Sequence, residues 1–215
     1  MSIKTLQKRA GDIEYRVEID YDHFAESPRE YSEWSYLCIR KHRNYTFPNE
    51  LDFDFEWVDS MDMLTEEEDN ILPMNNDRWD LIERRVNDKL IELAEAEAKE
   101  KWLELFWLDC YEHSGISFSL AGEGMQCRFD TSGKCGFIIA ESEEQARAEI
   151  KEYNQYINWE CYWVDVSSRD IIEKGDKTFY SDWEFIDSMS CIGWENLEAP
   201  SQFPFEEGEW DNFIN

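Results

Sequence analysis

The sequence predicts an α+β fold, mainly antiparallel sheet with two principal helices at about 78–101 and 142–157. Three observations carry that prediction. Runs of period-two alternation between apolar and polar residues, as over Glu14–Tyr21 and Gly115–Leu120, mark half-buried strands. Two longer stretches instead place their apolar residues three and four apart, the helical spacing. The order in which these elements follow one another is that of an α+β chain with a mainly antiparallel sheet. At 215 residues, 42% hydrophobic and 15% aromatic, the chain is long enough to bury a core and too aromatic to be disordered. One domain over 1–194, with an acidic linker at about 58–76 and an acidic aromatic tail at 195–215, is the expected organisation.

Glu14–Tyr21 is read as the first strand, and Trp34–Arg40 as the second, joined by a connector whose turn signal is Ser27-Pro28. Leu51–Trp57 alternates apolar and acidic residues, so a strand there has one aromatic face and one row of carboxylates. Asn76 or Asp77 caps the first helix, whose stripe is Trp79, Ile82, Val86, Leu90, Leu93 and Ala94. Strands are then expected at Trp102–Tyr111, Gly115–Leu120, Met125–Phe129 and Cys135–Ala140, with Gly122 and Gly124 making a turn. Ser142, Glu143, Glu144 and Gln145 fit a capping box for the second helix, with Ala146, Ile150, Tyr153 and Ile157 as its stripe. Trp159–Val166 and Trp183–Met189 are the last predicted strands, separated by a turn at Lys174-Gly175-Asp176.

Charge sets this chain apart. Fifty Asp and Glu against 21 Lys and Arg give a formal net charge of -29. Such a protein repels nucleic acid and anionic membranes and attracts basic surfaces. The acids are segregated: from Asn44 through Asp77 there is no Lys or Arg, and none follows Lys177. No apolar run is long enough to span a bilayer, and the polar N-terminus has no signal-peptide core, so a soluble cytoplasmic protein is expected. Six scattered cysteines without a paired framework are expected to stay reduced.

Three groups of residues, in this order, carry a resemblance. They are Glu26–Tyr31 followed by Leu37–Tyr45; Tyr111–Ile116 with Cys127–Asp130 and Gly136–Ile138; and Glu152–Asn158 with Glu160–Tyr162, Asp187-Ser188 and Gly193-Trp194. Read together, the chain resembles a family of phage- and plasmid-encoded accessory proteins of unassigned biochemical activity. The resemblance implies a mobile-element origin and a similar fold, and it supplies no catalytic residue.

Three constellations bear on chemistry. Cys110, His113, Cys127 and Cys135 are four ligands suited to zinc, although the seven residues between Cys127 and Cys135 exceed the usual two to four. The same cysteines equally suit a strand core, with His113 in a turn. Cys110 or Ser114 beside His113, with Asp130 to orient it, has the composition of a nucleophilic site but lacks any sequence elbow for one.

The third constellation is the acids themselves. Asp52, Asp54, Glu56, Asp59, Asp62, Glu66, Glu67, Glu68, Asp69, Glu206, Glu207 and Glu209 form the candidate partner surface, with Phe53, Phe55, Trp57 and Trp210 as aromatic anchors. The leading expectation is a DNA-mimic inhibitor acting in the host-cell cytoplasm, without catalytic residue, metal or cofactor. Its partner is a basic, nucleic-acid-binding host protein, and it touches neither nucleic acid nor membrane directly. A small enzyme or zinc protein centred on His113, and a structural or assembly accessory protein, are the alternatives.

Overall fold

The computed structural model describes residues 2–32, 35–40, 46–51, 63–71, 76–113, 115–124, 126–127 and 129–215. The chain is α+β with antiparallel sheets and one long helix, and it forms two compact units, Met1–Glu30 with Glu152–Asn215, and Tyr31–Lys151.

In the first unit, β1 (Lys4–Ala10) and β2 (Ile13–Tyr21) form a hairpin whose turn uses Gly11 at φ 66. A left-handed residue is needed there, and glycine takes that conformation without a Cβ clash. β7 (Cys161–Lys174) is the spine of this sheet. It pairs with β2 on one side and β9 (Glu184–Ile192) on the other, while its far end turns at Gly175 into β8 (Lys177–Tyr180). Register sets Val17 against Val166 and Ile19 against Val164, so four β-branched side chains meet on one face. All four are buried, together with Leu197, Phe203 and Trp210.

The last three of those residues correct an expectation. Residues 195–215 are not a separate tail: the segment lies on the β2–β7 face and ends in α4 (Glu209–Ile214). Tyr15 meets Phe203 edge-on at 6.3 Å, Phe203 meets Phe205 at 4.3 Å, and Phe205 meets Trp210 at 5.1 Å. The Trp210 indole N–H donates to the Leu197 carbonyl at 3.2 Å, which satisfies its one polar atom on burial. Lys4 Nζ donates to the carbonyls of Phe213 and Ile214, placing a cation at the negative end of α4.

The second unit contains a four-stranded sheet in the order β3 (Tyr36–Ile39), β6 (Thr131–Ala140), β4 (Glu104–Glu112), β5 (Ile116–Leu120), all antiparallel. Phe137, Ile138, Ile139 and Ala140 are all fully buried, the continuous apolar run of a strand covered on both faces. α1 (Glu66–Ile71) and the long α2 (Asn76–Glu100) precede β4. α2 buries Ile82, Leu90, Ala94 and Ala98, and the two alanines pack against Cys38, Phe137 and Ile139. Small residues at the contact let the helix approach the sheet closely. Close approach also explains Gly136, whose absent Cβ would collide with the backbone of Cys38 and lie 2.8 Å from the Ile39 Cα.

α3 (Glu143–Ile157) starts as predicted. The Gln145 N–H donates to Ser142 Oγ, and Gln145 Oε1 accepts from the Glu141 N–H. Its buried stripe is Ala146, Ile150 and Tyr153.

Four further expectations differ. Trp79, assigned to the buried stripe of α2, is exposed; in that first turn Arg78 is the residue that is buried. Trp102 is exposed at φ 60 in the link from α2, and β4 begins at Glu104. Residues 126, 127 and 129 belong to no strand: the Thr131 N–H folds back to the Cys127 carbonyl, and the Cys127 N–H donates to Thr131 Oγ1. Such local side-chain bonds compete with the ladder and close a turn instead. β1 and β8 were not anticipated, because their mostly exposed residues carry no alternating apolar signal. The expected strand at Leu51–Trp57 lies largely outside the described residues.

Candidate functional site

The densest grouping of chemically able side chains lies where β4 and β6 fall out of register. Leu108 pairs with Gly136 and Cys110 with Ser132, so residues 133–135 oppose Asp109 alone. Lys134 takes the left-handed conformation there, with φ 51. Extra residues of this kind re-aim side chains and interrupt the ladder.

Asp109 holds the irregularity in place. It is buried, and its carboxylate accepts from the Lys134 N–H at 3.0 Å, the Gly122 N–H at 2.8 Å and Gln126 Nε2 at 3.2 Å. Burial by itself pushes this carboxyl up. The bonds from Gly122, Lys134 and Gln126, with the Lys134 charge, outweigh it and hold the group below the usual range.

Beside the bulge opens a cavity of about 250 Å³, lined by Ile39, Arg40, Phe47, Cys110, Glu112, Phe118 and residues 132–135. Cys110 and Cys135 both line it, and their thiols interact across the bulge. That interaction lowers Cys110, against burial and the Glu112 charge, and it raises Cys135.

The four candidate metal ligands therefore divide differently from their sequence spacing. Cys110 joins Cys135, whereas Cys127 and His113 both meet Asp130: Cys127 Sγ donates to Asp130 Oδ2 at 3.2 Å, and His113 Nδ1 lies 3.5 Å from the same oxygen. The His113 ring is exposed and stacks with Tyr111 at 6.3 Å. Among the described residues, no three His, Cys, Asp or Glu side chains converge as a metal site would require. The carboxylate sits between thiol and imidazole, so the Cys127 thiol donates to Asp130. Ser114 lies outside the described residues.

Of the acidic surface residues, Asp52, Asp54, Glu56, Asp59 and Asp62 lie outside the described residues, as do the anchors Phe53, Phe55 and Trp57 and the side chains of Glu67 and Asp69. Glu66, Glu206 and Glu207 are exposed. Glu68 and Glu209 have internal work. Glu68 is bound by Arg85 at 2.7 and 2.8 Å and caps Thr65, and the Arg85 guanidinium with the Thr65 N–H draws its pKa down to about 2. Glu209 accepts from the Glu206 N–H and from Lys8 Nζ, which together lower it. Trp210 is buried core, not an exposed anchor.

Sequence reading missed an acidic row that the helix assembles. Asp77, Asp80, Asp88, Glu92 and Glu95 are exposed and fall on one side of α2, with Arg84 interrupting the row. Eighteen residues at 1.5 Å rise make that row about 27 Å long. Helical spacing of the acids was the available signal, hidden because attention to acid runs favours contiguous ones.

A second, smaller cavity of about 190 Å³ lies in the first unit, lined by Asp22, His23, Ala25, Tyr156, Ile157, Trp159 and Cys161. No helix among the described residues is long and apolar enough to cross a membrane. Comparison with known proteins finds no family model, no characterised sequence and no solved structure that this chain matches.

Proposed function

We propose that this protein is a non-enzymatic inhibitor of mobile-element origin that presents a DNA-like acidic surface to the basic groove of a host nucleic-acid-binding defence protein. The observation that carries the reading is the net charge of -29 together with the exposed row on α2. One strand of duplex DNA sets phosphates roughly 3.4 Å apart along the axis, so a row of about 27 Å spans about eight of them. A rigid helix holds its carboxylates at fixed spacing, which a disordered acidic segment does not. Many cations are already neutralised within the fold, in pairs such as Arg9 with Glu173, Arg16 with Glu18, Arg85 with Glu68 and Arg169 with Glu14. The surplus is therefore left to the acids that a basic partner would meet, and those include Glu66 and Glu207.

Competition would be steric and electrostatic, and fast at low salt. The test is association with purified host restriction and defence nucleases across a salt series, with duplex DNA as competitor. The expected result is affinity that falls steeply with salt, is displaced by DNA, and drops at least tenfold in the D88K/E92K/E95K variant. Binding indifferent to salt and to DNA overturns the reading.

A further inference from the structure

We propose that Cys110 and Cys135 form a peroxide-sensitive dithiol that closes to a reversible disulfide across the β4–β6 bulge. This site is separate from the acidic surface and stands whether or not that surface binds a partner. Register places the two residues on adjacent strands at the point where three β6 residues oppose one of β4. An unbroken continuation of the Leu108–Gly136 register would set Lys134 opposite Cys110. The bulge instead brings Cys135 and Cys110 onto the wall of one cavity, with their side chains close enough to interact.

Both cysteines line a cavity of about 250 Å³, roomy for a molecule little larger than water. Arg40 and Lys134 line the same cavity, but the charges that act on the two thiols are those of Glu112 on Cys110 and Asp109 on Cys135, and both oppose a thiolate. Asp109, through the Lys134 N–H, fixes the strand path that keeps Cys135 in place.

Other cysteines lack this arrangement. Cys38 is fully buried in the core, and Cys127 is bonded to Asp130. Cys161 pairs with Ile192 and Cys191 with Tyr162. Residues one step apart on a ladder point to opposite faces, so Cys161 and Cys191 cannot face each other.

The chemistry assigns unlike parts to the two sulfurs. Cys110, favoured as thiolate by the interaction with Cys135, attacks one peroxide oxygen. An S–O bond forms, the O–O bond breaks, and the departing hydroxide takes a proton as water. Cys135 then attacks the sulfenic sulfur of Cys110: the S–S bond forms, the S–O bond breaks, and a second water leaves with the Cys135 proton. Two thiols are oxidised by two electrons and one peroxide is reduced to two waters. A dithiol reductant reverses the step by exchange.

The experiment treats the reduced full chain with hydrogen peroxide, blocks remaining thiols with N-ethylmaleimide, and maps the unreduced digest by mass spectrometry. The expected product is a Cys110–Cys135 linked peptide two hydrogens lighter than its parts, lost on adding dithiothreitol. Cys127→Ser should close as the unsubstituted chain does. Cys135→Ser should leave Cys110 as a sulfenic acid that dimedone captures. Cys110 and Cys135 both recovered with the maleimide label, or a link formed predominantly to Cys127, overturns the proposal. The unsubstituted chain alone decides between these outcomes, so a variant that fails to fold does not leave the matter open.

Discussion

Replacing Asp109 by alanine tests the account of the bulge directly. The carboxylate accepts three hydrogen bonds, two of them from backbone donors: the Lys134 N–H within the bulge and the Gly122 N–H in the turn after β5. Hydrogen bonds to a charged group contribute about 1.5–3 kcal/mol, and stranding their donors costs a similar amount. The Gln126 amide is on an exposed residue and regains water, so it adds little. Gly122 and Lys134 are exposed residues as well, so each backbone donor counts for about 1 kcal/mol at most, and Asp109→Ala should destabilise by about 1–2 kcal/mol at neutral pH. Asp109→Asn keeps one acceptor but turns an amide donor toward a donor, and it should lose nearly as much.

The pH dependence has a definite sign. The folded carboxyl is held below its ordinary value of 3.8, so the unfolded chain binds the proton more readily. The contribution is present above that pH and is lost as pH falls below it. Denaturant titrations at neutral pH and near pH 3 should show the parent and Asp109→Asn converging in acid. A neutral-pH loss below about 0.5 kcal/mol, the scale of an ordinary surface substitution, would refute the argument.

Two more outcomes follow from the geometry. Trp210→Ala should cost about 3–5 kcal/mol, because a buried indole among Phe203, Phe205 and Phe213 is removed and a cavity is left. Limited proteolysis should then cut residues 195–215 first. The Glu68 carboxyl should titrate near 2 by side-chain NMR, and Arg85→Ala should return it toward its ordinary 4.5, since the guanidinium bond is the largest cause of the depression. A midpoint that stays near 2 in that variant would assign the shift to the Thr65 N–H instead.

Local signals and long-range ones divided this protein between them. α3 was legible because Ser142, Gln145 and the stripe of Ala146, Ile150 and Tyr153 all lie within one short window. The same is true of α2, and of β2 and β5, whose periodicity depends on which face is buried and nothing more distant. β1 could not be read this way. It is held by β2 and has few buried side chains, so its existence rests on backbone pairing that no residue pattern records.

What the sequence by itself determined is the α+β class, the principal helices, most strands and the extreme negative charge, all properties of composition or short-range period. Tertiary structure decided three things. It turned Phe203 and Trp210 from apparent tail aromatics into core, because Val17 and Val166 present a face that must be covered. It gathered the acids of α2 into a row that only a helical rise aligns. It also re-paired the cysteines, joining Cys110 to Cys135 and Cys127 to Asp130. That last outcome depends on where the β4–β6 register slips, and the buried bonds of Asp109 hold the slip where it is.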